Sequence, residues 1–431
     1  TKFAYDLMCS QVESGNEVVA VWPGKINFFI NKDKIKLKKR KNIKGIQNYE
    51  IINPLPISLD EGIIDIDKYT KSNSERAYLE FFDKIKPDSI HIHTLMGLHK
   101  EFVKAAKLRN IKTIYTTHDY FGICPKVTLY RFGEVCNNDF GCKECVRCNY
   151  SALSMKKIIL MQSPLYRKLK NSKIVKILRK KHRKSFLKEE LPEFKEDEKD
   201  IIAKQKKYQE LRQYYIDILE NIDIIHFNSK LSKEIYSKYV NVKDFKIIPI
   251  THKDIIDNRN IEHIANNDKI RFTFLASTKP YKGIYLIKKV LDELYTENKY
   301  DFELNVFGDL TDPSPYMNIN KDGFKKEELP EIFSKTDILL APSIWYETFG
   351  FTVLEALSYG VPVIVSDNVG AKDIVGKGGI IVKHNDLNDL RKEIENLSKE
   401  KINSLKDKIK KEIKIKEWNE FCSEIEGLYK E

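Results

Sequence analysis

At 431 residues, with 42% hydrophobic and 11% aromatic content, the chain is long enough for two or three domains with separate cores. No uninterrupted apolar run approaches the roughly 18 residues of a membrane span, which argues against a bilayer-crossing helix. The formal charge of +12 suits an anionic partner, whether a phosphorylated ligand, an acidic membrane face or nucleic acid, and equally fits a solvated lysine-rich surface.

The chain opens on Thr1 rather than Met, inside the helical stretch TKFAYDLMCSQVESG, so residues upstream are expected in the natural protein. Gly15 supplies the left-handed stop, and EVVAVWPG reads as a short strand. NKDKIKLKKRKNIKG reads as a surface hairpin or loop. DSIHIHT, KTIYTTHD, DIIHFNS and FKIIPI then follow helical or polar stretches, which implies crossover connections and a parallel α/β domain. Between Lys156 and Lys188 lie thirteen Lys or Arg and no Asp or Glu, with Leu165, Leu169, Ile174, Ile177, Leu178, Phe186 and Leu187 at mostly helical spacing. A solvated helix face is one reading; the absence of acidic residues favours attraction to anionic lipid. No DNA- or RNA-binding motif accompanies the segment, so nucleic acid is not expected as a partner.

After the polar THKDIIDNRNIEHIANNDK a second α/β series begins. IRFTFLAS, FELNVFG, DILLAPS, VPVIVS and GGIIV read as strands, with helices after Lys282, from Glu327 to Ser334, after Gly350 and from Leu387 onward. EWNEFCSEIEGLYKE places Trp418, Phe421, Ile425 and Tyr429 at helical spacing and therefore needs a surface to bury them. The expected division is residues 1–255, with a Cys-rich loop at 124–148 and a basic helical insertion at 156–215, then 256–411, then a terminal helix at 412–431.

WYETFGFTVLEALSYG carries the chemistry. The strand DILLAPS leads through it into a helix starting near Gly350, at the sheet edge where open parallel sheets bind ligands. The first-turn amides of Gly350, Phe351 and Thr352 can donate to a phosphate, and Gly350 lets an anion come close. Glu355 is the lone charge of that helix; it either caps a half-exposed surface or accepts from sugar hydroxyls, which are suitable donors for a buried carboxylate. Glu347 precedes the helix, on the other side of the phosphate site.

E-T-F-G-F-T-V-L-E-A-L-S-Y-G-V-P-V-I resembles the E-x7-E signature of retaining glycosyltransferases of the GT-B fold, family 4, and LPEIFSKTDILLAPS and SDNVGAKDIVGKGGIIV are similar to that family in order and spacing. The resemblance covers the second domain and, more loosely, the first. It implies two Rossmann-like doubly wound domains facing across a deep cleft, with the terminal helix packing back on the first. It also implies transfer of a sugar from a nucleoside diphosphate sugar to a hydroxyl, with retention at the anomeric carbon. Front-face attack, with the leaving diphosphate accepting the proton, requires no catalytic metal. By the same resemblance Glu347 contacts the donor sugar, Glu355 the ribose hydroxyls, and Gly350, Phe351 and Thr352 the distal phosphate. Lys282 and Gly283 match the Lys-Gly that opens a helix beneath the diphosphate, where a cation stabilises the leaving group.

The family's Gly-Arg is replaced here by Ala276-Ser277, leaving Ser277 and Lys279 as the nearest donor contacts. A surface lysine is the alternative for Lys279. His118, followed by Asp119 at a strand's carboxyl end, resembles the histidine placed over the donor sugar. His91 and His93 share one sheet face, and His93 is the expected acceptor contact. The family's first strand and its glycine-rich loop have no counterpart.

Cys124, Cys136, Cys142, Cys145 and Cys148 follow the pattern C-x11-C-x5-C-x2-C-x2-C. An iron–sulfur reading fails on the missing x3-C-P continuation, and disulfides conflict with a reducing compartment. Structural Zn2+ on Cys124, Cys136, Cys145 and Cys148, with Cys142 able to replace one of them, fits better than free thiols, and similar clusters occur in some family members. These readings together give a cytoplasmic enzyme of bacterial surface polysaccharide assembly, peripheral on the membrane, with a glycan or lipid-linked acceptor. The rivals are a GT-B epimerase or phosphorylase and a non-catalytic basic adaptor.

Overall fold

The computed structural model describes residues 2–27, 34–58, 62–137, 141–172, 175, 197–264, 269–299 and 301–430. Most of the basic stretch 173–196 lies outside the described residues.

In the first domain, helix α1 (Lys2–Glu13) precedes β1 (Val19–Pro23), β2 (Lys36–Ile43) and β3 (Ile46–Ile52). These form a small sheet in the order β1-β3-β2, in which β2 and β3 make an antiparallel hairpin. The lysine side of that hairpin is solvated, while β3 is buried along most of its length. Helix α2 (Arg76–Ile85) leads to a second sheet of β4 (Ser89–Ile92), β5 (Lys112–Thr116), β8 (Ile224–Phe227) and β9 (Phe245–Ile247), all parallel in that order. Helix α3 (Lys100–Leu108) makes the crossover between β4 and β5. The two-stranded β6 (Tyr130–Arg131) and β7 (Glu134–Val135) and the short α4 (Lys143–Cys148) build the cysteine loop.

The basic segment is not one continuous helix. It breaks between α5 (Met155–Gln162) and α6 (Pro164–Leu169), because Ser163 is extended and Pro164 cannot donate to the preceding turn. The Ser163 hydroxyl accepts from the Tyr166 amide at 3.1 Å, so the second helix starts capped. Both pieces are clamped to the body. Gln162 accepts from the Ile57 amide at 3.2 Å, and Arg167 donates to the fully buried Glu50 at 2.9 Å while lying 5.0 Å from the Trp22 ring. The long α7 (Glu198–Glu220) and α8 (Lys230–Tyr236) complete the domain.

The second domain is a six-stranded parallel sheet of β10 (Ile270–Phe274), β11 (Phe302–Phe307), β12 (Met317–Asn320), β13 (Ile338–Ala341), β14 (Val363–Ser366) and β15 (Gly379–Val382), in the order β12-β11-β10-β13-β14-β15. Counted within the domain this is 3-2-1-4-5-6, with the direction of winding reversing between β10 and β13. Strand β12 was not expected from the sequence: MNIN is short and mostly exposed, as an edge strand is, and lacks an apolar run. Helices α9 (Ile284–Thr296), α10 (Leu329–Ser334), α11 (Phe351–Ser358), α12 (Lys372–Val375) and α13 (Leu387–Glu395) cover the sheet, followed by α14 (Lys399–Glu412). Residues Phe272, Leu304, Ile338 and Ile364 are buried between the layers.

The final helix α15 (Trp418–Lys430) lies on α1 and against β5 of the first domain's parallel sheet. The Trp418 indole donates to Ser10 at 2.8 Å, and Phe421 and Ile425 are fully buried. Among the described residues no helix is long and apolar enough to cross a membrane.

Candidate active site

Two helices of the second domain begin at the carboxyl edge of its sheet, on either side of the point where the winding reverses. Each starts on a glycine held at positive φ: Gly283 (φ +85°) before α9 and Gly350 (φ +108°) before α11. A Cβ on Gly350 would lie 2.8 Å from Val369 Cγ1, and one on Gly283 2.1 Å from the Pro342 carbonyl oxygen. Only glycine lets the chain turn here, and the turns aim the first-turn amides and the positive ends of both helix dipoles at one edge.

Lys282, just ahead of Gly283, donates to Glu347 Oε1 at 2.7 Å, and Ser343 Oγ donates to Glu347 Oε2 at 2.8 Å. Burial alone would raise the Glu347 carboxyl; the Lys282 charge and these hydrogen bonds outweigh it and hold the group below its ordinary value. Lys282 Nζ also lies 4.8 Å from the centre of the Trp345 ring, which packs on Tyr281 at 5.0 Å. The main chain of Glu347 is fixed too: its amide donates to Asn368 O at 2.8 Å, and its carbonyl accepts from the Gly370 amide at 2.9 Å. An ammonium and a carboxylate therefore stand paired beside two helix N-termini.

Glu355 is only 7% exposed, and its Oε1 lies 3.1 Å from His252 Nε2. The His252 ring packs edge-on against Phe351 at 5.2 Å. Phe351 and Thr352 form the first turn of α11, as the sequence indicates. Ser277 is exposed in the loop after β10, and Lys279 lies 5.1 Å from the Tyr281 ring. No arginine replaces the Gly-Arg pair in that loop.

Across the cleft, the His118 carbonyl accepts from Thr348 Oγ1 at 3.1 Å, and Ser229 Oγ donates to the Thr348 carbonyl at 2.7 Å. The two domains thus touch one residue beyond Glu347. Burial and the nearby His226 push the His118 imidazole down to about 3, keeping it neutral, while burial pushes the Asp119 carboxyl up to about 6. His93 Nδ1 lies 3.1 Å from His118 Nε2, so His93 is bonded to the other cleft histidine.

Among the described residues, no group of three or more candidate ligands is already arranged to hold a metal ion. Cys124, Cys136, Cys145 and Cys148 nevertheless line one cavity of about 20 Å³, with Arg212 of α7 in its wall. Cys142 is buried beside Cys145 and is not part of that lining. The loop reaches the second domain: the Tyr130 ring is 5.5 Å from Tyr281, and the Tyr346 hydroxyl bonds Asn137.

Sequence reasoning missed Ser343, Trp345, Thr348, Ser229 and His252. Trp345 and Ser343 sit within a few residues of Glu347 and could have been found by asking what shields a buried ion pair. His252 is 103 positions from Glu355, and no local pattern announces it.

Residues 256–416 match the family described as glycosyl transferases group 1. Among curated proteins, an uncharacterized 41.2 kDa protein in the cps region of Klebsiella pneumoniae is 30% identical over 135 residues, 30% of this chain and 36% of that one. The O-antigen chain mannosyltransferase B of Escherichia coli is 38% identical over 61 residues, 14% of this chain and 16% of that one. The chain therefore spans about a third or less of the length of these relatives. Among solved structures, a glycosyltransferase from Rickettsia africae ESF-5 superposes with a TM-score of 0.54 at 14% identity, over 99% of this chain and 93% of that one. A sucrose-phosphate synthase from Thermosynechococcus elongatus does so with a TM-score of 0.53 at 14% identity, over 99% and 92%. The chain has the GT-B fold.

Proposed function

From a second domain that matches the group 1 glycosyl transferases and a fold shared with GT-B enzymes, we propose that this chain transfers a sugar from a nucleoside diphosphate sugar to a hydroxyl, with retention at the anomeric carbon. The observation that carries the reading is the Lys282–Glu347 pair between two glycine-started helices at the reversal of the sheet. The diphosphate lies against the first-turn amides of α9 and α11, and Lys282 turns from Glu347 to the leaving phosphate. Glu347, released, accepts from the sugar hydroxyls, and Glu355 accepts from the ribose. Charge developing on the diphosphate meets fixed dipoles and an ammonium in a water-poor cleft, which is where such stabilisation is largest. Neutral His118 faces the sugar from the other domain and donates or accepts without bringing a competing charge.

Calorimetric titration with a panel of nucleotide sugars tests this. At least one is expected to bind, and Glu355→Gln is expected to weaken it roughly 10- to 100-fold, the worth of charge-assisted hydrogen bonds. Failure of every donor to bind sinks the proposal. Labelled donor without acceptor separates the rival chemistries: sugar isomers would mark an epimerase, and phosphate-dependent release a phosphorylase. A basic adaptor would bind no donor and be indifferent to Glu347→Ala.

The acceptor is proposed to be a glycan on a lipid carrier, as in bacterial surface polysaccharide assembly on the inner membrane face; the names of the two curated relatives support this. On the clamped helices α5 and α6, Leu160, Leu165 and Leu169 are exposed among Lys156, Lys157, Lys168 and Lys170, a face suited to anionic lipid. In the same assay, transfer should run faster with acceptor in anionic than in neutral vesicles; equal rates remove the membrane part of the reading.

The cysteine cavity is proposed to hold one structural Zn2+ once its four thiols turn inward. A space of about 20 Å³ suits an ion and not a cluster, and Arg212, which donates to Cys145 Sγ at 3.6 Å, offsets part of the negative charge of a tetrathiolate. Elemental analysis should find one zinc per chain, lost in Cys148→Ser and retained in Cys142→Ser. Equal zinc in all three proteins, or none in any, excludes the site.

A further inference from the structure

A chain of hydrogen bonds runs from the terminal helix through the first domain's parallel sheet, and its direction is set at one end. His226 Nε2 lies 2.8 Å from the Ile248 carbonyl, which can only accept, so Nε2 carries the proton and Nδ1 of the neutral ring must accept. Its donor is Thr116 Oγ1 at 2.9 Å. With its proton committed, Thr116 accepts from His91 Nε2 at 2.6 Å. His91 Nδ1 is then the acceptor for the Tyr429 hydroxyl at 2.8 Å, and that hydroxyl accepts from Gln11 Nε2 at 2.7 Å. A single carbonyl thus dictates two histidine tautomers and two hydroxyl rotors across elements 338 positions apart.

The His91 ring is also the base of a column. It packs on His93 at 4.1 Å, and His93 packs on His118 at 5.4 Å, the two ring pairs inclined by 32° and 27°. Phe3 of α1 closes the side of the column, edge-on to His118 at 5.1 Å, and is itself held by Trp418 and Phe421 of the terminal helix at 5.7 and 5.5 Å. Each ring therefore rests on one whose plane is already fixed.

We propose that Tyr429 and His91 are positioning residues for His118: the Gln11–Tyr429–His91–Thr116–His226 chain locks the His91 ring, and the stacked column passes that fixed plane to the cleft. Docking of the terminal helix and correct placement of the cleft histidine are then one equilibrium. Burial depresses all four histidines, His226 to about 4, which keeps the rings neutral as the donor–acceptor order requires. The kinetic half of this inference rests on the transferase reading; the structural half does not.

Tyr429→Phe removes one hydroxyl and keeps the ring, and Thr116→Val breaks the chain at another link with nearly the same shape. Long-range ¹⁵N–¹H spectra of histidine-labelled full-length protein report each ring's tautomer, and turnover is measured in parallel. Both variants should shift the ring-nitrogen signals of His91 and His118. Both should also lower kcat roughly tenfold with donor KM unchanged, the cost of a misplaced group rather than of a lost contact. Unchanged His118 signals in Tyr429→Phe and Thr116→Val overturn the inference, and so does a shift of those signals with kcat intact. Shifted signals in a protein that, even unmutated, transfers no sugar uphold the structural half and overturn the transferase reading instead.

Discussion

Lys282→Ala is expected to lower kcat for sugar transfer by roughly 10²- to 10³-fold, the usual cost of removing one fixed stabiliser of a leaving group's charge. The same change should destabilise the protein by about 1–3 kcal/mol, because Glu347 is left partly buried with Ser343 but without its counter-charge. The two effects come apart in the double variant Lys282→Met with Glu347→Gln. Replacing both members leaves no uncompensated charge, so urea denaturation should return close to the native midpoint, while turnover stays at the level of the single variant or below. A double variant that transfers sugar at the native rate would remove the pair from the mechanism. A single variant as stable as the native protein would show instead that water reaches Glu347 freely.

Gly283→Ala should be among the most damaging single-methyl additions in the second domain, at about 3–5 kcal/mol. Its φ of +85° disfavours any side chain, and the added Cβ would meet the Pro342 carbonyl oxygen at 2.1 Å. That atom is backbone at the end of β13 and cannot swing aside, so α9 must shift away from the edge it serves and donor affinity should fall with stability. Gly15 provides the comparison: its φ is +88°, yet nothing lies within 4 Å of a Cβ built there. Gly15→Ala should therefore cost only the left-handed strain, about 1–2 kcal/mol. Equal losses at the two positions in urea melts would mean that backbone strain, and not the collision, governs both.

The contrast between those glycines shows how far reading along the chain reaches. Gly15 and Gly283 look alike in sequence, each at a helix boundary, and differ only in what the fold places opposite them. The same holds for the charged groups. Glu347 and Glu355 could be singled out because each is a charge in an apolar setting next to a helix start, and burying a charge is costly enough to demand a reason, whereas Lys282 stood out only through the resemblance of its Lys-Gly pair to the family's. The resemblance put Lys282 and Glu347 at one donor site, but that they pair directly across 65 positions, and that His252 answers Glu355 across 103, follows only from the assembled sheet. The break in the basic segment is legible in its Ser163-Pro164 pair, since a proline there cannot donate to the preceding turn.

By itself the sequence determined the alternating α/β order, most strands of the second sheet, both helix starts at the candidate site and the grouping of five cysteines. Those depend on local properties: apolar periodicity, glycine's access to positive φ and the turn chemistry of neighbouring residues. Only the tertiary structure decided the splitting of the first domain into two sheets, the edge strand β12, the pairing of Lys282 with Glu347 and the histidine column joined to Tyr429. Each of these turns on which buried polar group finds its partner, and that follows from how the sheets and the last helix pack together, over distances along the chain that no short pattern spans.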